Sequence, residues 1–308
     1  MSNSNIKIGI IGGTGLGDKL GLETGQTVNP DTPFGKPSSP IIHTTWEGVD
    51  IYLLQRHGIG HIHNPSAVPY RANIFALKQL GVTHILASGA TGSLREEYRP
   101  GDLVIVDQII DKTYKRTNTF FERAAVHVEF ADPFCSTMRN WLLNATKYLP
   151  SNQALENNDA PKPQNITVHA KGTYVVMEGP AFSTRAESHM HRAWGGDLIG
   201  MTAMPEAKLA REAEIAYAMI AMPTDYDCWR PHEVSSKQAL LEEIIGNLNR
   251  ATTNNIALIK AALRDLTILE SEPCPAHAAL AMGIWSHKDK IPADEINKLQ
   301  VLWGKYFK

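Results

Sequence analysis

The chain has 308 residues, 43% of them hydrophobic and 20% charged, so it is long enough to bury a substantial core and is expected to be globular. A formal net charge of −2 offers no overall positive field to nucleic acid or to an anionic membrane, and a small-molecule ligand is expected instead. The sequence shows neither a signal-peptide pattern nor an apolar run near the ~20 residues of a membrane-spanning helix, so we expect a cytoplasmic protein.

The first predicted element is a strand over 6–11 that runs into the glycine cluster "IGGTGLGD". Such a turn exposes backbone N–H groups and is typical of anion binding. A dinucleotide fingerprint would require a third glycine where Asp18 stands, and no Gly-Lys-Ser/Thr follows for a Walker A loop. The cluster therefore predicts an anion site that is neither of these two nucleotide motifs.

Alternating strand and helix patterns follow along the chain. Apolar runs predict further strands at 51–54, 84–87, 103–107, 173–177, 198–201 and 217–222. Apolar residues at three- and four-residue spacing predict helices at 70–80, 184–194, 205–214 and 237–263. This alternation predicts an α/β fold with a buried sheet.

The domain organisation predicted from these patterns is one domain over residues 1–270 and a helical tail over 271–308. The polar, Asn-rich stretch at 151–164 interrupts the pattern and predicts a surface insertion without a core of its own.

Small or polar residues follow several predicted strands, where α/β proteins bind their ligands. A forked cation, hydroxyl groups and unhindered amides are what a free phosphate needs. The residues that offer these groups are Thr14, Arg56, His57, a small-residue loop at 88–93 around Ala90, and Thr202.

Asp225 and Asp227 follow the last predicted strand on alternate residues, so their carboxylates are expected to point the same way and to exchange protons with a heterocycle. Phe182 offers an aromatic plane nearby. Each feature alone also fits a structural role, since Gly-rich turns, Arg-His pairs and Asp-x-Asp loops are common without any ligand.

The cysteines and paired histidines predict neither disulfides nor metal. Cys135, Cys228 and Cys274 are odd in number and lack paired spacing, so free thiols are expected. The pairs His61/His63 and His189/His191 have no cysteine or carboxylate at ligand spacing to complete a site.

Eight sequence blocks together resemble a known family. "GIIGGTGL", "TPFGKPS", "RHG…H…P", "YRANIFALK", "GSLREE…PGDLVIVDQIID", "EGPAFSTRAES", "GMTAMPEAKLARE" and "TDYDCW" are similar, in order, to the S-methyl-5'-thioadenosine phosphorylases, a branch of the trimeric purine nucleoside phosphorylases. The resemblance runs from residue 6 to 233. It implies a single domain with a twisted, mixed central sheet flanked by helices, and a homotrimer.

The activity that the resemblance implies is phosphate-dependent cleavage of methylthioadenosine to adenine and 5-methylthioribose 1-phosphate, without a metal or organic cofactor and with orthophosphate as co-substrate. Phosphate would be held by Thr14, Arg56, His57, the Ala90 backbone and Thr202. The remaining implied positions, for ribose, base and 5' group, are Met201, Phe182, Ser183, Asp225, Asp227, His61, and His127 from a neighbouring subunit.

Asp225 favours a 6-amino purine, because a carboxylate accepts hydrogen bonds whereas O6 of a 6-oxopurine needs a donor. A phosphorylase for 6-oxopurine nucleosides or methylthioinosine remains the alternative. More remote are a non-catalytic purine-binding protein and a nicotinamide-dependent oxidoreductase.

Several positions depart from the family pattern. Gly89 replaces a hydroxyl residue, Ala181 replaces an arginine, and Pro223 precedes the "TDYDCW" block. The 5' pocket is expected after Trp229, with Val234 and Leu240 or Leu241 as candidate lining residues.

Overall fold

The computed structural model of the chain describes residues 6–14, 16, 25–149, 166–231 and 236–307. In these residues eleven strands form one mixed sheet. In chain order the strands are β1 (Ile8–Gly12), β2 (Gln26–Val28), β3 (Ile41–Trp46), β4 (Val49–Gln55), β5 (His84–Ser93), β6 (Leu103–Ile105), β7 (Gln108–Lys112), β8 (Val168–His169), β9 (Thr173–Met177), β10 (Leu198–Gly200) and β11 (Ala216–Asp225).

Helices cover the sheet. The α-helices of the described residues are α1 (Tyr70–Gln79), α2 (Ser136–Ala145), α3 (Arg185–Ala193), α4 (Ala203–Glu212), α5 (Lys237–Leu263), α6 (Thr267–Ser271), α7 (Ala293–Lys298) and α8 (Gln300–Trp303). This mixed sheet flanked by helices is the predicted fold class.

The strand β5 organises the centre of the sheet. Along one edge it pairs in parallel with β11. Along the other edge it pairs first with β1, as far as Ala87, and then with the antiparallel strand β10, from Gly92. Between these two partners the backbone of residues 88–91 has no strand beside it on that edge among the described residues, and a cleft opens there.

The core lies on both faces of the sheet, as strand periodicity requires. Ile8 and Ile10 of β1 belong to one apolar cluster, which includes Trp141 of α2. The neighbouring Ile11 belongs to the opposite cluster, with Phe75 of α1. Burial on both sides explains why β1 is continuously apolar.

The predicted helices are present with bounds that differ by one to two residues, and α5 has the predicted bounds of 237–263. Gly81 and Gly195 follow the ends of α1 and α3 with φ of +79° and +85°. Left-handed backbone at this position is easy for glycine, since it has no Cβ.

One expectation was wrong: residues 88–93 are not a loop but the second half of β5. Glycine in this stretch allows neighbouring segments of the same chain to approach β5, because a Cβ on Gly92 would lie 3.1 Å from side-chain atoms of both Ile199 and Asp227. Similarly, Asp225 is the last residue of β11 rather than part of a following loop. The sequence patterns also missed β2, β3, β7, β8, α2 and α6.

The C-terminal segment 271–307 packs into the same core as the sheet. Leu280, Leu299, Leu302 and Trp303 are buried in the cluster that contains Phe75. The boundary predicted at residue 270 falls inside α6, and it stays a prediction. The insertion expected at 151–164 lies outside the described residues, as does Val234.

None of the helices in the described part of the chain has the length and apolarity required to cross a membrane.

A buried and an exposed residue adjacent in α8 test how firmly this segment is docked. Leu302 is 2% exposed, whereas Val301 is 41% exposed. We expect Leu302→Ala to lower the free energy of unfolding by about 2–5 kcal/mol, because it leaves a cavity. Val301→Ala should cost about 0.5 kcal/mol or less. Urea unfolding of both variants measures the difference, and equal, small effects would show that the segment is not part of the cooperative core.

Candidate active site

A cleft of about 540 Å³ opens where β1 and β4 end and β5 continues towards β10. Its volume suits a small molecule. Eleven of the twelve residues predicted from sequence line it, and these are Thr14, Arg56, His57, His61, Ala90, Phe182, Ser183, Met201, Thr202, Asp225 and Asp227.

Arg56 follows β4 and has no exposed surface. Its Nε and Nη2 atoms donate to the two carboxylate oxygens of Glu206 at 2.7 and 2.8 Å, and Nη1 donates to the carbonyl of Ser88 at 2.7 Å. Burial alone would lower the pKa of Arg56, but the carboxylate of Glu206 outweighs it and the net pKa is raised. The guanidinium is therefore a permanent positive charge in a fixed orientation.

Glu206 was not predicted from the sequence. It lies in the first turn of α4, has no exposed surface, and also accepts from the hydroxyl of Tyr217 at 2.9 Å. A buried arginine needs a buried carboxylate, and a glutamate in the apolar first turn of a helix is the signal that could have identified it.

Amides and hydroxyls surround the guanidinium. Gly13 lies so close that a Cβ there would come within 2.6 Å of Arg56 Nη1, which explains the glycine at this point of the loop. The Thr91 hydroxyl is buried at the cleft wall and has no hydrogen-bond partner among the described residues. These groups, with Thr14 and Thr202, give the end of the cleft nearest Arg56 the donors that an oxyanion requires.

His57 and His61 stack with ring centroids 4.1 Å apart. Nδ1 of His57 donates to the carbonyl of His63 at 2.8 Å, which leaves Nε2 as the acceptor of the neutral ring. Burial lowers the pKa of His57 to about 4, and the nearby charge of Arg56 acts in the same direction. His57 is accordingly neutral between pH 5 and 8, and its Nε2 can accept a hydrogen bond.

Asp225 and Asp227 lie at the opposite side of the cleft. The Asp225 carboxylate accepts from the Thr224 hydroxyl at 2.9 Å and from the Asp227 amide at 3.0 Å, and the Asp227 carboxylate accepts from the Ser188 hydroxyl. Asp227 itself has φ of +47°, an uncommon conformation for a residue with a Cβ. The two carboxylates are thus oriented by their own loop and by α3.

The backbone at Met201 is hydrogen-bonded by a buried arginine side chain, that of Arg116. Arg116 donates to the carbonyls of Met201 and Met204, and also to the carbonyl and carboxylate of Glu178. No local sequence pattern indicates this support, because Arg116 lies in an irregular segment more than 80 residues away from Met201.

The remaining wall is apolar. Ile244 and Leu248 of α5 line the cleft, one and two turns beyond the Leu240 and Leu241 that were expected there. Leu241 is 57% exposed and does not line it. Phe182 is 85% exposed at the entrance of the cleft.

His127 is the predicted residue that the structure does not bring to this cleft. Its ring packs edge-on against Trp285 at a centroid distance of 4.8 Å. Within the described ranges, the paired histidines at 61/63 and 189/191 are not part of a group of side chains that could hold a metal ion. The described residues that form such a group are His84, Cys274 and His277, away from the cleft.

Comparisons with known proteins agree on one family. The sequence model of the phosphorylase superfamily matches residues 7–264. An S-methyl-5'-thioadenosine phosphorylase of Synechocystis sp. is 44% identical over 98% of this chain and 88% of its own length.

Solved structures give the same answer. A methylthioadenosine phosphorylase from an Antarctic soil metagenomic library aligns with a TM-score of 0.83 and 43% identity, covering 97% of this chain and 99% of that one. A methylthioadenosine phosphorylase from Schistosoma mansoni, in complex with adenine, aligns with a TM-score of 0.77 and 36% identity, covering 91% and 99%.

Glu206 provides a test of the buried ion pair. We expect Glu206→Ala to lower the free energy of unfolding by about 3–5 kcal/mol, because the charge of Arg56 then has no buried partner. The exposed pair Arg71–Glu122 is the matched control, and Glu122→Ala should cost at most about 1 kcal/mol. Denaturant titrations of both variants measure these values. If both variants lost a similarly small free energy of unfolding, Glu206 would not be compensating the buried positive charge of Arg56.

Proposed function

Because this chain belongs to the phosphorylase superfamily, we propose that it cleaves S-methyl-5'-thioadenosine with phosphate, releasing adenine and 5-methylthioribose 1-phosphate. The observation that carries the proposal is a single cleft with a fixed cation at one end and two oriented carboxylates at the other. An apolar wall completes the cleft beside them.

Phosphate occupies the end of the cleft at Arg56. Three of the five N–H groups of Arg56 donate to Glu206 and Ser88, and the other two are available to an oxyanion. Thr14, Thr91, Thr202 and the unpaired backbone edge near Ala90 supply further donors. Since the guanidinium is already neutralised in part by Glu206, it positions phosphate without holding it as tightly as an unpaired buried cation would.

His57 orients the nucleophile. Its Nε2 is an acceptor, and monohydrogen phosphate carries one O–H group that can donate to it. This arrangement directs the unprotonated oxygens of phosphate towards the sugar. Proximity and orientation of this kind contribute a large part of the rate enhancement in bimolecular reactions.

The base lies against Asp225 and Asp227. A purine leaves as a stable species only if N7 is protonated or strongly hydrogen-bonded, and the carboxyl group of Asp225 is positioned to share or deliver that proton. As the C1'–N9 bond breaks, the ribosyl fragment becomes cationic, and the phosphate held by Arg56 stabilises it and then attacks C1'. Met201, whose backbone is fixed by Arg116, lies under the sugar.

The 5' group faces Ile244 and Leu248. A methylthio group gains from apolar contact, whereas the 5'-hydroxyl of adenosine would lose hydrogen bonds to water without replacement. This wall therefore supports methylthioadenosine over adenosine as the substrate.

Assembly, cofactor use and location belong to the same proposal. A homotrimer would place His127 of a neighbouring subunit, together with the 85% exposed Phe182, at the border of the site. The reaction needs phosphate as co-substrate and no organic cofactor. A cytoplasmic location stays a prediction.

The decisive experiment is purine release from methylthioadenosine, adenosine, methylthioinosine and inosine, each with and without phosphate. We expect phosphate-dependent release of adenine, with kcat/KM about tenfold or more higher for methylthioadenosine than for adenosine, since burial of an apolar group is worth about 1–3 kcal/mol. A preference for inosine and methylthioinosine would show instead that the protein is a phosphorylase for 6-oxopurine nucleosides. Release without phosphate would contradict the oxyanion site.

Asp225→Asn tests the role of the carboxylate. We expect kcat/KM for methylthioadenosine to fall by roughly 10²-fold or more, because an amide cannot donate the proton to N7. Inosine should lose less, since the amide N–H can donate to O6. Asp111→Asn, at an exposed ion pair with Lys208, is the control and should retain full activity. Equal kinetics of the Asp225 variant and the wild type on both substrates would remove this residue from the base site.

A further inference from the structure

A second cluster of reactive side chains lies away from the cleft, where the C-terminal segment crosses the start of β5. His84, Cys274 and His277 each offer one ligand atom, and these atoms all lie within 4.8 Å of one another. The Sγ atom of Cys274 is 3.7 Å from Nε2 of His84. His84 is 2% exposed and Cys274 is 7% exposed, and none of the three lines the cleft.

A fourth donor lies beside them. The Sγ atom of Cys135, just before α2, is 3.0 Å from Sγ of Cys274, and Cys135 is 5% exposed. Both cysteines are free thiols. The four side chains thus comprise two sulfur and two imidazole donors, which is the set that tetrahedral zinc sites use.

Thr83 fixes the histidines in the tautomers that a metal requires. Nδ1 of His84 lies 2.8 Å from the Thr83 hydroxyl, which in turn can donate to the carbonyl of Lys7. Nε2 of His84 is then the nitrogen with a free lone pair, and it is the one that faces Cys274. Nε2 of His277 donates to the Thr83 carbonyl at 3.0 Å, which leaves its Nδ1 with a free lone pair.

The hydrogen bonds between Thr83 and the two histidine rings are those expected around metal-binding histidines. In metal sites the second ring nitrogen of a ligating histidine almost always donates to a neighbouring oxygen, and here one threonine serves both rings. With zinc–sulfur and zinc–nitrogen bonds of about 2.3 and 2.0 Å, tetrahedral donors lie roughly 3.3–3.8 Å apart. His84, Cys274 and His277, whose ligand atoms lie within 4.8 Å of one another, would meet that spacing by approaching by about 1 Å. Cys135 lies outside that group of three, and its side chain would have to turn so that its Sγ moves away from the 3.0 Å that now separates it from Sγ of Cys274.

We propose that Cys135, Cys274, His84 and His277 form a structural zinc site that ties the C-terminal segment to the sheet. Zinc binds as the two thiols lose their protons to solvent and the neutral imidazoles donate their lone pairs. The four ligands come from three separate parts of the chain, namely the start of β5, the approach to α2 and the segment after α6. A bound ion would therefore stabilise the docking of the segment 274–307.

The test is the zinc content of the full-length protein purified in the presence of zinc and a thiol reductant, measured by mass spectrometry after gel filtration. We expect about one zinc ion per chain in the wild type and less than about one tenth of that in Cys274→Ser and His277→Asn, because a thiolate or imidazole ligand is lost. Cys228→Ser removes the thiol outside the cluster and is the matched control for metal content. It should keep the wild-type stoichiometry.

Cobalt provides a readout that does not depend on how well a variant folds. Titration of the wild-type apoprotein with Co²⁺ should give thiolate-to-cobalt charge-transfer bands and the visible bands of a tetrahedral ion, which added zinc removes. Removal of zinc by a chelator should lower Tm by several degrees, since the ion binds only the folded state.

Three results would overturn the proposal. One is a wild-type chain that binds neither zinc nor cobalt under these conditions. A second is equal zinc content in the Cys274→Ser and Cys228→Ser variants, which would place the ion elsewhere. The third is an intact mass two hydrogens below that of the reduced chain, lost when Cys135 or Cys274 is replaced, which would identify a disulfide between these two thiols.

Discussion

The buried ion pair between Arg56 and Glu206 is the constraint on which the site depends. A guanidinium without exposed surface is tolerated only because its carboxylate partner and the Ser88 carbonyl surround it on three sides. These contacts join the end of β4, the middle of β5 and the start of α4 at one point. Arg56 lines the cleft at this point, and the loop at Gly13 can approach its guanidinium only because Gly13 lacks a Cβ.

The sheet provides the second requirement, which is a strand with part of its edge left open. β5 is longer than β1, so its residues 88–91 continue past the last pair with β1 before β10 joins the same edge. Small side chains in that stretch keep the backbone accessible, and the parallel partner β11 brings Asp225 level with Gly92. The positions of Arg56 and Asp225 along the cleft are consequently set by strand lengths and register within one sheet.

The strand ends and the residues at them could be predicted from sequence, because apolar runs that stop at polar or small residues are local patterns. The residues at strand ends that line the cleft for this reason are Thr14, Arg56, His57, Ala90, Thr202, Asp225 and Asp227. The lining residues His61, Ser183 and Met201 were implied by the resemblance to a known family. Partners that depend on tertiary contact could not be predicted. Glu206 meets Arg56 across 150 residues of sequence, and Arg116 reaches Met201 across 85. The extent of β5 was also missed, since glycine-rich stretches favour loops unless neighbouring strands pair with them.

The same distinction explains why spacing failed to identify the cysteine and histidine cluster. Metal motifs are recognised in sequence when ligands recur a few residues apart, as in two neighbouring pairs. Here only Cys274 and His277 are close in sequence, while His84 and Cys135 are contributed by β5 and the approach to α2. The pair His189/His191, which did have suggestive spacing, lies on α3, where side chains two residues apart point in different directions. Convergence of donors in this fold is a property of the sheet and the docked C-terminal segment, and only the three-dimensional arrangement reveals it.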